Sequence, residues 1–203
     1  MFSILASFII FAVWLTYEIK KHEKMEDNAL DDFWAREHKA NNTRRKSLDG
    51  LDYIKIPFEC IPKSLLPYDE AVQDCLSTLE RLSDKKIVNL TGYTNTDLKI
   101  EYGTANLTVL SSYDENYTLY ARTIYKLAKL YLENGYESNA RVLLEKGVES
   151  GTDIKDTYIL LKDMYAKNHE EAKIKALIEA ASSLRSANRD IILRSLEESA
   201  HKS

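Results

Sequence analysis

TLYARTIYKLAKLYLENGYESNARVLLEKGVESG, residues 118–151, decides the fold. Ile124, Leu127, Ala128 and Tyr131 fall at three- and four-residue intervals, the spacing of one helix face. Asn134-Gly135 then supplies a helix stop, and Ala140, Leu144 and Gly147 line a second face. Large residues would fill the seam of such a helix–turn–helix unit, with small ones where two helices approach closely. The pattern returns thirty-four positions on: Ile124 maps to Tyr158, Leu127 to Leu161, Tyr131 to Tyr165, Leu144 to Ile178 and Gly147 to Ala181. Leu143-Leu144-Glu145 likewise matches Leu177-Ile178-Glu179.

Residues 118–151 resemble a tetratricopeptide repeat. Ile124 stands at the family's large first-helix position, Leu127-Ala128 at its Leu-Gly/Ala pair and Tyr131 at its tyrosine. Gly135 falls at the turn glycine, Ala140 and Gly147 at the small second-helix sites, and Leu144 at the large one. Thr152 replaces the usual terminal proline, and no tryptophan stands at Ile124. The second copy, 152–185, departs further: Lys162 and Ile174 occupy small sites, and no glycine marks its turn. The resemblance implies stacked antiparallel helix pairs, of which three or more are expected. It also implies a concave groove that grips peptides or partner helices. Arg122, Tyr125, Lys129 and Glu133 would line it from the first copy, and Asp156, Ile159, Asp163 and Lys167 from the second. Aromatic and arginine side chains are typical binding anchors.

Working outward, helical spacing holds from Pro67, with Ala71, Val72, Cys75, Leu76, Leu79 and Leu82 as a stripe over 68–83. A helix over 97–111, N-capped by Thr96, is expected despite Gly103, and Asp114 is expected to cap the next. These two stripes read as a diverged pair, and 188–200 as a capping helix, so that 68–203 forms one helical domain. Residues 50–67 hold all three prolines and an alternating Leu51–Ile56 run, which reads as an extended arm. Residues 18–49 form a charged connector, helical for want of glycine or proline, with Phe33-Trp34 as either a docking point against the domain or an interfacial foot.

Residues 1–17 carry no charged side chain, and Lys20, Lys21 and Lys24 follow. Such a run is expected to be an uncleaved transmembrane anchor, since nothing basic precedes it and no small-x-small cleavage site follows. At about 1.5 Å per residue it spans roughly 25 Å against a hydrocarbon layer of roughly 30 Å, a gap that snorkelling lysines would close. Charge asymmetry puts the N-terminus outside and the domain in the cytoplasm, a single-pass plasma-membrane protein. Arg44, Arg45 and Lys46 would then lie where anionic headgroups can be touched.

A net charge of −4 argues against nucleic acid as a partner. Cys60 and Cys75 read as packing thiols. The histidines His22, His38, His169 and His201 are scattered, and no phosphate loop, nucleophile elbow or Cys-x-x-Cys occurs. No enzyme activity, cofactor, metal or small-molecule substrate is expected. Four Asn-x-Thr sequons, at Asn41, Asn89, Asn106 and Asn116, read as chance. The fold class is thus mainly α: transmembrane helix, connector helix, extended arm and a tetratricopeptide-like array. The expected function is a membrane-tethered module that recruits or scaffolds a protein partner. The alternative is a structural accessory subunit of a transporter or envelope complex.

Overall fold

A computed structural model describes residues 2–198, with side chains throughout except at 2–10, 12, 13 and 23. It is mainly α-helical, with eight α-helices and no strand among the described residues. They are α1 (Phe2–Asn41), α2 (Glu70–Leu82), α3 (Asn95–Tyr102), α4 (Leu107–Glu133), α5 (Glu137–Glu149), α6 (Lys155–Lys167), α7 (Glu171–Ser182) and α8 (Arg189–Glu198). The chain divides into two compact units, one made of residues 1–46 and 95–107, the other of 47–94 and 108–203.

In the first unit, the C-terminal turns of α1 pack on α3. Arg36 pairs with Asp97 at 2.5 Å, Lys99 reaches Glu37 at 3.3 Å and Asn41 at 2.9 Å, and Thr96 bonds Glu37. Ala40 is fully buried beneath them, and the Thr104 hydroxyl donates to its carbonyl. The helix expected over 97–111 is broken at Gly103. Its φ of +89° is left-handed, and a Cβ there would lie 2.3 Å from the Arg44 carbonyl oxygen. A short 3₁₀ turn, Thr104–Asn106, follows before α4 starts. Asp114 therefore caps nothing; it lies inside α4 and accepts the Leu90 amide at 3.0 Å.

Single-pass membrane placement is corrected: no helix among the described residues is long and apolar enough to cross a membrane. The charge-free stretch ends at Tyr17, and α1 continues unbroken to Asn41 through charged residues. Most of the side chains of the expected anchor, 1–10, 12 and 13, lie outside the described residues. The orientation assigned from Lys20, Lys21 and Lys24 falls with the span; Lys21 pairs with Glu18 one turn back. Arg45 and Lys46 are also engaged within the first unit. Arg45 Nε donates to Asn106 Oδ1 (3.0 Å), Lys46 Nζ to the Ile100 carbonyl (3.4 Å), and the Lys46 amide to Tyr102 (3.0 Å). Phe33 and Trp34 are both exposed, and their rings pack edge-on against each other.

The second unit has an apolar core. Val72, Cys75, Leu76, Leu79 and Leu82 of α2 join Tyr117, Tyr120, Ile124, Leu127 and Tyr131 of α4 and the inner faces of α5 to α8. Asp69 caps α2 through the Val72 amide, as its place before the stripe requires. Residues 50–67 run irregularly along this unit, with one 3₁₀ turn at Phe58–Cys60; Ile54 donates to Ile87, and the Tyr131 hydroxyl reaches the Pro62 carbonyl. Each sequon asparagine has a structural partner. Asn89 caps the end of α5 through the Ser150 and Gly151 carbonyls, Asn106 is fully buried, Asn116 holds the Lys86 carbonyl and Asn41 receives Lys99.

The two turns that close α4–α5 and α6–α7 carry matching hydrogen bonds at the offset that separates Leu127 from Leu161. Tyr136 donates to the Tyr131 carbonyl (2.9 Å), and Glu170 to Tyr165 (2.8 Å). Asn134 Nδ2 holds the Leu130 carbonyl, and Asn168 Nδ2 that of Met164. Gly135 has a φ of +84°, and His169, its equivalent, takes +57° without glycine's freedom. Thr152 uses its amide to bond the Gly147 carbonyl at 3.1 Å, a bond that proline there would forfeit.

Candidate protein-binding face

The eight groove residues come from α4 and α6, whose opposite sides are in the core. Ile124 and Tyr158 are buried at equivalent positions, as are Leu127 and Leu161. That burial turns the remaining faces outward: Arg122, Lys129, Glu133, Asp156, Asp163 and Lys167 are exposed, and Tyr125 and Ile159 half-buried. Tyr125 donates its hydroxyl to Asp156 Oδ2 at 3.3 Å, so the two helices meet at this face. Partial burial and the Asp156 charge both push the Tyr125 hydroxyl pKa up, keeping it a neutral donor. Lys129 lies 3.8 Å from Glu133 on the same helix, and Lys167 pairs with Glu137 at 2.8 Å, away from the row.

Charge reverses between equivalent positions of α4 and α6. Arg122 is matched by Asp156, Lys129 by Asp163 and Glu133 by Lys167, each one repeat length later. Tyr125 and Ile159 keep an apolar surface between them.

A third row was missed in the sequence. α8 begins at Arg189, one repeat length after α6 begins at Lys155, and it packs against both α6 and α7. Ile192 is fully buried, as Tyr158 and Ile124 are at the equivalent places. Asp190, Leu193 and Glu197 consequently stand where Asp156, Ile159 and Asp163 stand on α6; Leu193 is half-buried and the two carboxylates exposed. The spacing Ile124, Tyr158, Ile192 was the signal available. It was masked because α8 is polar where the other helices are apolar, with Ser195 in place of Leu127 and Leu161. Residues 199 and 200 of the expected capping helix lie outside the described residues.

Lys162 sits beneath the acidic row. At the place of buried Ala128 it too is buried, and its ammonium donates to the Leu196 carbonyl in the last turn of α8. The negative end of a helix favours a cation there.

Elsewhere, a cleft of about 340 Å³ lies among Asn89, Tyr93, Ser150, Ser183 and Arg185, with the Arg185 guanidinium 4.7 Å from the Tyr93 ring centre. No three His, Cys, Asp or Glu side chains converge in a metal-holding group among the described residues. His22, His38 and His169 are exposed, and His201 lies outside the described residues. Cys75 is buried and Cys60 half-buried; burial pushes the Cys75 thiol pKa up. In comparisons with known proteins, no family model, curated protein or solved structure matches the chain.

Proposed function

We propose that the second unit is a protein-binding module of tetratricopeptide-like stacked helices, and that its partner lies across α4, α6 and α8. One observation carries this reading: Tyr125, Ile159 and Leu193 recur one repeat length apart as half-buried apolar side chains, each flanked by exposed charges. An apolar strip with charged borders gives a partner both desolvated contact area and register. The two matching turns support the family resemblance, because equivalent hydrogen bonds at equivalent offsets keep successive helices in one orientation. Recruitment or scaffolding of a protein is the role this surface fits.

The test is site-specific cross-linking in cells. A photo-reactive residue in the full chain at position 159 captures a defined partner, whereas the same group at exposed Ser138 on α5 does not. Equal labelling from both positions, or none from 159, overturns the reading.

A further inference from the structure

We propose that the segment received by this face is basic, with lysine or arginine side chains on either side of an apolar anchor, and that it lies across α6 and α8. The inference rests on the protein-binding reading above and assigns the chemistry of its partner. Asp156, Asp163, Asp190 and Glu197 are all exposed, and they occupy on α6 and α8 the places where α4 carries Arg122 and Lys129. Two of the four are already committed: Asp156 accepts the Tyr125 hydroxyl, and Asp190 meets Arg189 Nε at 2.9 Å. Asp163 and Glu197 have neither ion pair nor hydrogen bond with a described residue. They are equivalent to each other across adjacent packed helices. The buried ammonium of Lys162 donates its hydrogen bond to the Leu196 carbonyl.

Such a strip disfavours phosphate and acidic peptide and draws cations, and a partner that brings positive charge further relieves its like charges. Beside it, Ile159 and Leu193 offer a half-covered apolar surface. A bare cation would leave that surface wet; a peptide carrying an apolar residue between basic ones covers it. Arg122 and Lys129 at the α4 end set direction, because they disfavour continued positive charge and admit an acidic residue.

A random linear peptide library is selected against the immobilised full chain, and enriched peptides are titrated by fluorescence anisotropy. Enriched peptides are expected to be net positive around an apolar residue. They should lose affinity by about ten-fold when Asp163→Lys and Glu197→Lys are combined. Asp84→Lys combined with Glu115→Lys, an equal charge change elsewhere on the second unit, should leave them bound. If that control weakens binding equally, the attraction is to net charge and the proposal fails. Acidic or neutral peptides that lose binding on Arg122→Glu keep the face but overturn the basic partner. Peptides insensitive to every one of these variants, or no enrichment at all, overturn both readings.

Discussion

Arg141 holds Glu170 through two parallel hydrogen bonds, Nη1 to Oε1 and Nη2 to Oε2, both 2.6 Å. This bidentate pair joins α5 to the turn that starts α7, a geometry in which arginine is not replaceable by lysine. Glu145 and Tyr165 extend it: Arg141 Nε reaches Glu145 at 3.1 Å, and Tyr165 donates its hydroxyl to the same carboxylate at 2.9 Å. Lys173 lies 3.2 Å from Glu170, and the Arg141 guanidinium stands 4.9 Å from the Tyr165 ring centre.

The pair makes stability depend on acid. Hydrogen bonds from Arg141 hold the Glu170 carboxyl down at about 2, below the roughly 4.3 of a free glutamate. A carboxylate with a depressed folded pKa adds stability that is fully present above its unfolded pKa and is lost as pH falls toward the folded value. Glu170→Gln should therefore lower the melting temperature at pH 7, and the gap from the parent should narrow between about pH 4.3 and 2. Melts followed by circular dichroism across that range check it. A gap that stays constant with pH would refute the assignment.

Gly103→Ala should be among the most damaging single changes. The left-handed φ of +89° is costly for alanine, and the new Cβ would meet the Arg44 carbonyl, a backbone atom that cannot swing aside. A loss of at least about 2 kcal/mol is expected from strain of this kind. Hydrogen exchange gives a local readout: the Lys46 amide, bonded to the Tyr102 carbonyl at 3.0 Å, should lose protection first.

His169→Gly should do the reverse. His169 takes a φ of +57° in the turn where Gly135 takes +84° in the preceding copy. Relief of the left-handed penalty is worth about 1 kcal/mol. Chemical denaturation would show a higher midpoint with an unchanged slope; a lower midpoint would mean that the imidazole makes a contact outweighing the strain.

Much of the helical plan was legible because burial wrote it into side-chain spacing. The α2 stripe, the Asn134-Gly135 turn and the offset between Leu127 and Leu161 all follow from one face meeting the core. Three features were hidden. Gly103 breaks a periodic run because of a close approach from Arg44, more than fifty positions away, which no local window contains. His169 conceals a turn equivalent to Gly135 because the backbone conformation, not the residue type, is what recurs. Asp114 looks like a helix cap but spends its carboxylate on the Leu90 amide. The apolar run at the N-terminus misled in another way. Uniform hydrophobicity reports a preference for leaving water without naming the surroundings that satisfy it, so Phe11, Trp14 and Leu15 stand exposed on the described part of α1.

Lys162 provides the sharpest separation of shape from charge. Burial pulls its ammonium pKa below the ordinary lysine value, with Asp163 opposing that pull. A base with a depressed folded pKa holds its proton more tightly when unfolded, so the charge works against the fold at neutral pH. The penalty eases as pH rises through the folded pKa and is gone near the unfolded value of about 10.4. Lys162→Met keeps the packed stem and removes the charge, and should raise stability by about 1 kcal/mol at pH 7. That advantage should fade in alkaline melts. Lys162→Ala removes the stem as well, leaving a void between α6 and α8, and should lower stability at every pH. If Met is also destabilising at pH 7, the bond to the Leu196 carbonyl outweighs the cost of burying the ammonium, and α8 is held by charge rather than by packing alone.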